Sequence, residues 1–276
     1  MPRYKLTIAY DGTDFAGWQK QEPPDPDATP DEHGDRPRIK LRTVQEIVER
    51  AVRETVREPV VLGGASRTDS GVHAVGQCAA FTTSAEAPEG RGWPPERGTE
   101  PLRRALNGRL PDDVYVSAVQ QVHDGFNPIT DATSKGYSYT FHASRDRTLW
   151  DRRYVHHVWC ELDVDKMHEA AQHLIGEHDF ASMAAANHGR QTTVRTIHNC
   201  TVTRETDHRI RLDVSGNGFL YNMVRIIAGT LYDVGRGTKE SGDIPQILES
   251  GDRRQAGMTL PASGLRLEWI EYPETP

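Results

Sequence analysis

The stretch GGASRTDSGVHAVGQ, residues 63–77, decides how the first half of the chain folds. Read as a turn between strands at 60–64 and 75–82, it supplies the middle step of a β-α-β-β-α-β order. Asp69-Ser70-Gly71 is turn chemistry, because Asp bonds its own backbone and Gly tolerates positive φ. The same bracket sets a single carboxylate between Arg67 and Thr68 on one side and Ser70 on the other. A turn and a reactive site are both compatible with it.

The pattern extends outward from there. Lys5–Tyr10 alternates as a strand. TVQEIVERAVRETV, residues 43–56, puts Val44, Ile47, Val48, Ala51, Val52 and Thr55 on one helical face, with Thr43 and Glu46 at capping-box spacing. PLRRALNGRLP is a short helix ended by Gly108 and Pro111, and Val114–Val122 is a strand. The second half repeats the order. Residues 135–142 and 265–272 are its outer strands, and 196–205 with 208–216 form a hairpin. Helices are expected over 163–176 and 219–235, with an extra short one at 241–250. A β-α-β-β-α-β unit is ferredoxin-like, a topology shared by RNA-recognition modules, metal carriers and enzymes. Element order alone therefore leaves open a non-catalytic RNA-binding protein and a small-molecule enzyme.

At 276 residues, the chain has room for one large domain or two ordinary ones. No apolar run is long enough to span a bilayer, and the start, MPRYKLTIAYDG, reads as lacking a secretion signal. Cys78, Cys160 and Cys200 are odd in number and far apart, which fits a reducing cytoplasm better than a disulfide framework. The net charge of −7 counts at first against a nucleic-acid partner. Its distribution answers that. Residues 22–38 hold six acids against Arg36 and Arg38, and residues 83–101 hold four against Arg91 and Arg97. Both stretches are rich in Pro or Gly and read as surface insertions. The rest is close to neutral, which leaves room for a local basic face.

Several motifs lead nowhere. GNGFLY at 216–221 lacks the third glycine of a dinucleotide fingerprint. His156 and His157 are adjacent on a strand, so they point to opposite faces and do not converge with Cys160 on a metal. Ser66 is not in a nucleophile elbow. GEHDF at 176–180 reads as structural, its glycine a helix cap. Three features hold more interest. Lys135-Gly136-Tyr137 opens a strand with a ring beside a cation. Arg225 lies in the apolar helix NMVRIIAG, where it must find a partner or snorkel outward. Gly264-Leu265 begins the last strand.

Taken in series, five stretches resemble the tRNA pseudouridine synthase A family. They are Ala9–Gln19 (AYDGTDFAGWQ), Thr43–Gln45, Ser66–Ala74 (SRTDSGVHA), Asp131–Tyr139 (DATSKGYSY) and Gly218–Gly229 (GFLYNMVRIIAG), with Leu260–Leu267 a looser sixth. The resemblance implies an α+β fold of two ferredoxin-like units related by pseudo-symmetry, at 1–126 and 127–276, with sheets forming an RNA-binding cleft. It implies isomerisation of uridine at positions 38, 39 and 40 of the tRNA anticodon stem-loop by a cytoplasmic homodimer, without metal or organic cofactor. By the same resemblance, Asp69 is the catalytic carboxylate, Tyr137 stacks on the target uracil, Arg225 pairs with Asp69, and Leu265 packs on the base. Arg67 helps extrude the nucleotide or holds its phosphate. Ser70 stands where alanine is usual in the family, and Asn127-Pro128-Ile129 departs from a segment closer to His-Ala-Arg. The two acidic insertions exceed the usual length, and repulsion from RNA places them away from the bound strand or at a dimer edge.

The reaction breaks the N1–C1′ bond, turns the base and rejoins it through C5. It needs one ionised carboxylate, acting as a nucleophile at C1′ or C6 or as a base on the ribose. A facing arginine favours the charged form that burial would disfavour. Extruding the base costs a few kcal/mol, roughly what an aromatic face and an apolar wall return.

Overall fold

The computed structural model describes residues 1–85, 90–185 and 191–273. The chain is a mixed α+β protein whose strands pair almost entirely antiparallel, and it divides into two compact units, Met1–Asp131 and Ala132–Pro276.

In the first unit, β1 (Arg3–Tyr10) buries Tyr4, Leu6, Ile8 and Tyr10, the alternation its sequence predicts. It lies between β3 (His73–Thr82) and β4 (Val114–Val122), antiparallel to both, with Leu6 opposite Ala79 and Val119. Helix α1 (Val44–Val56) turns Val44, Ile47, Val48, Ala51, Val52 and Val56 inward. The Thr43 side chain accepts from Glu46 N at its start, and Arg57 ends it in the left-handed region at φ 54°. Helix α2 (Thr99–Asn107) buries Leu102 and Leu106 and packs on β4. Its last residue, Asn107, fixes that packing through two bonds to the backbone of Val116, at 2.8 and 2.9 Å.

The strand expected over 60–64 contracts to β2 (Gly63–Gly64), paired with Ala80 and Ala79. The cause lies in α1, whose side chains take the backbone groups that a ladder would use. Arg53 donates to Val60 O, Glu49 accepts from Leu62 N, and Gln45 donates to Leu62 O. Residues 22–38 are an exposed excursion, as their composition suggests. Residues 83–101 are not merely surface: Trp93 is 2% exposed, its carbonyl bonds Tyr4 and its indole bonds Gly98 O. Pro and Gly content hid this anchor, because one buried indole outweighs many polar neighbours. Glu86 and Glu89 of that stretch lie outside the described residues.

In the second unit the strand order is β10 (Leu265–Glu271), β5 (Ser134–Ala143), β9 (Arg209–Gly216), β8 (Val194–Arg204), β7 (Gly176–Asp179). A short parallel strand, β6 (His156–Val158), adds to β5. β6 matches the strand expected to carry His156 and His157, whereas β7 is not evident in the sequence, being too short for periodicity to register. Gly176 is not a helix cap: α3 (Val164–Gln172) has already ended, and Gly176 opens β7 at φ 111°. Tyr137, Tyr139 and Phe141 share one face of β5 with Val214, Leu212 and Ile210 opposite them on β9.

Helix α4 (Met223–Gly235) starts four residues later than its apolar run suggests, because Asn222 is left-handed at φ 59°. It is buried nearly all round. Residues 257–258 cross it at Gly229, where a Cβ would stand 1.9 Å from Met258 O, so only glycine permits the crossing. Helix α5 (Ile244–Ser250) follows. Among the described residues, no helix is long and apolar enough to cross a membrane.

The three cysteines are unequal. Cys78 and Cys200 are buried and Cys160 is exposed. Burial and then Asp213 push the Cys200 thiol up to about 12. Since the thiolate is the reactive form, alkylation of the native protein at neutral pH should give one adduct, at Cys160. The other two should label only with denaturant present; peptide mass spectrometry checks this.

Candidate active site

Residues 63–74 fold back on themselves as one loop. The incoming limb follows β3: Ala65 N bonds Cys78 O, and Ser66 is bracketed by the Gln77 side chain. Gln77 is fully buried in an otherwise apolar strand. Its carbonyl accepts from Ser66 N and Cys78 N, and its amide donates to Ser66 O at 2.7 Å. Sequence reading passed over Gln77. The available signal was a glutamine inside GQCAAF, because a polar side chain buried at such a position must be bonded. The chain reverses through Asp69–Val72, where Val72 N donates to Asp69 O at 3.2 Å and Gly71 takes φ 79°. Positive φ at the third position is the mark of a type II turn.

A second segment straps this turn down. Trp18 N donates to Thr68 O at 3.0 Å, while Ser70 Oγ and Gly71 N both reach Phe15 O. The Tyr10 hydroxyl is hydrogen-bonded to Thr68 Oγ1 at 2.7 Å, and Gly12 N donates to His73 Nδ1 at 3.1 Å. Backbones approach so closely that a Cβ on Gly12 would lie 2.0 Å from Val72 O. One on Gly17, at φ 97°, would lie 2.8 Å from Thr68 O. Thus AYDGTDFAGWQ and SRTDSGVHA are two halves of one structure. Thr68 is buried, Asp69 half-buried and Arg67 exposed, on a turn whose backbone is fixed by the strap.

The remaining candidates belong to the second unit. Leu265 opposes Tyr139 across β10 and β5, and Leu267 opposes Tyr137. Leu265 and Tyr137 are therefore diagonal neighbours on one face. Tyr137 is 8% exposed, and its ring meets Phe219 edge-on, centroids 5.1 Å apart. Arg225 does not snorkel. Its Nε donates to Leu260 O at 2.6 Å and its Nη1 to Asn222 Oδ1 at 2.9 Å, which fixes the plane of the guanidinium. Its own carbonyl accepts from Leu260 N. Beyond that exchange, Pro261 O accepts from the Tyr139 hydroxyl, and Gly264 lies beneath the Tyr139 ring. Burial pushes that hydroxyl's pKa upward against the opposing charge of Arg225, so it stays protonated and donates. Leu260, Asn222 and Tyr139 are thus the supports of Arg225 and Leu265.

The adjacent histidines diverge as expected: His156 faces Phe141, Tyr139 and Tyr232, whereas His157 faces His142 and Trp159. Among the described residues, no three His, Cys, Asp or Glu side chains gather as around a metal.

Gly17→Ala tests the strap. A non-glycine residue in that conformation costs about 1–3 kcal/mol before any clash is counted. The urea midpoint should fall accordingly, whereas Gly34→Ala, with nothing near its Cβ position but an equally positive φ, reports strain alone.

Residues 170–273 match a family model described as tRNA pseudouridine synthase. Proteins named tRNA pseudouridine synthase A are similar over nearly the whole length. The one from Acetivibrio thermocellus is 39% identical over 272 residues, covering 99% of this chain and 100% of the relative. Those of Clostridium botulinum and Geotalea uraniireducens are each 38% identical with the same coverage.

Proposed function

This chain belongs to the tRNA pseudouridine synthase A family and isomerises uridine to pseudouridine in tRNA; we propose that it does so in the anticodon stem-loop, at positions 38, 39 and 40, with Asp69 as the catalytic carboxylate. The observation that carries this reading is the end-to-end similarity to the named synthases. The strapped turn around Asp69 supports the residue assignment. A carboxylate that must meet one carbon of an extruded nucleotide benefits from a rigid mount, since small displacements are costly in rate.

In this reading Asp69 attacks C1′ or C6, or removes a ribose proton, while N1–C1′ breaks. The base turns, C5 bonds to C1′, the bond to Asp69 breaks or the ribose proton is returned, C5 gives up its proton and N1 gains one. Arg225 is the counter-ion that keeps Asp69 ionised, a role suited to a guanidinium whose plane is already fixed. Tyr137 offers its ring to the uracil and Leu265 an apolar wall. Arg67, exposed on the turn, meets a phosphate or props the gap the base leaves. The protein works as a homodimer in the cytoplasm. Each unit is a ferredoxin-like repeat, supported by a shared antiparallel order: β4-β1-β3-β2 in the first unit and β10-β5-β9-β8 in the second.

Site-mapped pseudouridine on unmodified tRNA transcripts tests the assignment. Asp69→Asn should abolish product and leave tRNA binding intact. Product from that variant would sink the role. A wild type that modifies uridines outside positions 38–40 would overturn the target.

The aromatic role is graded by size. Base–ring stacking is worth about 1–3 kcal/mol, so Tyr137→Ala should lower kcat/KM roughly 5- to 150-fold. Tyr137→Phe keeps the ring, and steady-state kinetics on the pair should recover most of that loss. Arg225→Lys keeps the charge but not the planar fork, and should lower kcat more than it raises KM.

A further inference from the structure

Residues 144–160, SRDRTLWDRRYVHHVWC, leave the end of β5 and return through β6. In a chain of net charge −7, this stretch sets Arg145, Arg147, Arg152 and Arg153 against only Asp146 and Asp151. It is also where large apolar side chains face outward: Trp150 is 87% exposed and Trp159 57%, with Leu149 and Tyr154 exposed as well. Exposed indoles cost solvation unless something covers them in use.

Cation and ring are set together here. The Arg147 guanidinium lies 5.2 Å from the Trp159 ring centroid, and the His157 ring stands edge-on to it at 4.2 Å. Arg145 makes no hydrogen bond or ion pair among the described residues. It lines a recess of about 820 Å³ with Ser144, Trp159, Arg204 and His208, where Glu161 and Asp207 supply the only acids. Burial first, and then the charges of His157, His208 and Arg209, push the neighbouring His142 downward, opposed by a bond to Asp146 O.

Resting on the tRNA-modifying activity above, we propose that this basic aromatic rim is a second RNA grip, in which Trp150 and Trp159 stack on bases and Arg145 and Arg147 meet phosphates of the same tRNA. Rings interleaved with guanidiniums are what unpaired bases on a charged backbone require. Six residues along β5 separate Tyr137 from Ala143, about 20 Å at strand rise. The rim therefore holds RNA other than the target nucleotide. It contributes to binding and not to the chemical step.

The test uses the full-length protein and an unmodified tRNA transcript. W150A/W159A should raise Kd and KM about tenfold, with kcat unchanged at saturating tRNA. W150F/W159F, which keeps the rings, should restore binding even where the alanine pair folds poorly. R145Q/R147Q should weaken binding and flatten the slope of log K against log salt by one to two contacts' worth, near 0.9 per phosphate for a duplex. Unchanged affinity and slope in both sets overturn the proposal. So does sedimentation showing that the variants fall apart into smaller species with affinity intact, which marks a subunit contact instead. Binding is read apart from turnover. A wild type that loses tRNA affinity with these residues yet forms no pseudouridine supports the grip and overturns the synthase reading.

Discussion

The strap of residues 12–18 across the turn at 66–72 is the constraint on which the geometry around Asp69 depends. A turn by itself is soft, and its carboxylate would sample many positions. Here the strap's backbone holds the turn at two points. Phe15 O takes two donors from residues 70 and 71, and Thr68 O takes the amide of Trp18. The strap is held in its turn by α1, since Trp18 O accepts from Gln45 N and the Gln45 side chain accepts from Lys20 N. A chain of backbone bonds thus runs from a helix packed on the core to the residue beside Asp69. Its members are buried or half-buried, where each bond is costly to break without a substitute.

The second unit solves a similar problem with a helix. Arg225 sits in α4, an apolar helix buried nearly all round. The crossing chain at Gly229 carries Leu260 back to it. The same chain then continues through Pro261 and Gly264, pinned by Tyr139, to deliver Leu265 at the start of β10. Arginine and leucine lie far apart in sequence, yet one crossing fixes both. Tyr139 serves as the post between them. Its raised pKa and its hydrogen bond have a common origin in burial.

The elements that periodicity reveals are those long enough for an alternation or a helical stripe to register, with regular partners for their backbone. β1, β4, α1 and α3 belong to this class. Strand 60–64 shrank because α1 side chains captured its backbone, a competition that no local pattern records. β7 was invisible at four residues. Trp93 was hidden inside a stretch whose Pro, Gly and Glu content spoke for solvent. Of the candidate site, the Asp69 turn was legible because Asp-Ser-Gly writes its own geometry. Tyr10, Gln77 and Leu260, among its supports, were not, since they bond across 58, 11 and 35 residues.

The excursion at 22–38 closes on itself. Its two limbs pair through Asp25 N to Pro37 O, Ile39 N to Pro23 O and Leu41 N to Gln21 O, and Arg36 and Arg38 bond carbonyls of the opposite limb. Because its ends already meet, the cost of closing it grows only with the logarithm of its length. Evolution can therefore lengthen, trim or recharge this appendage with almost no penalty to the folded body, a tolerance the short, doubly strapped turn at Asp69 does not share.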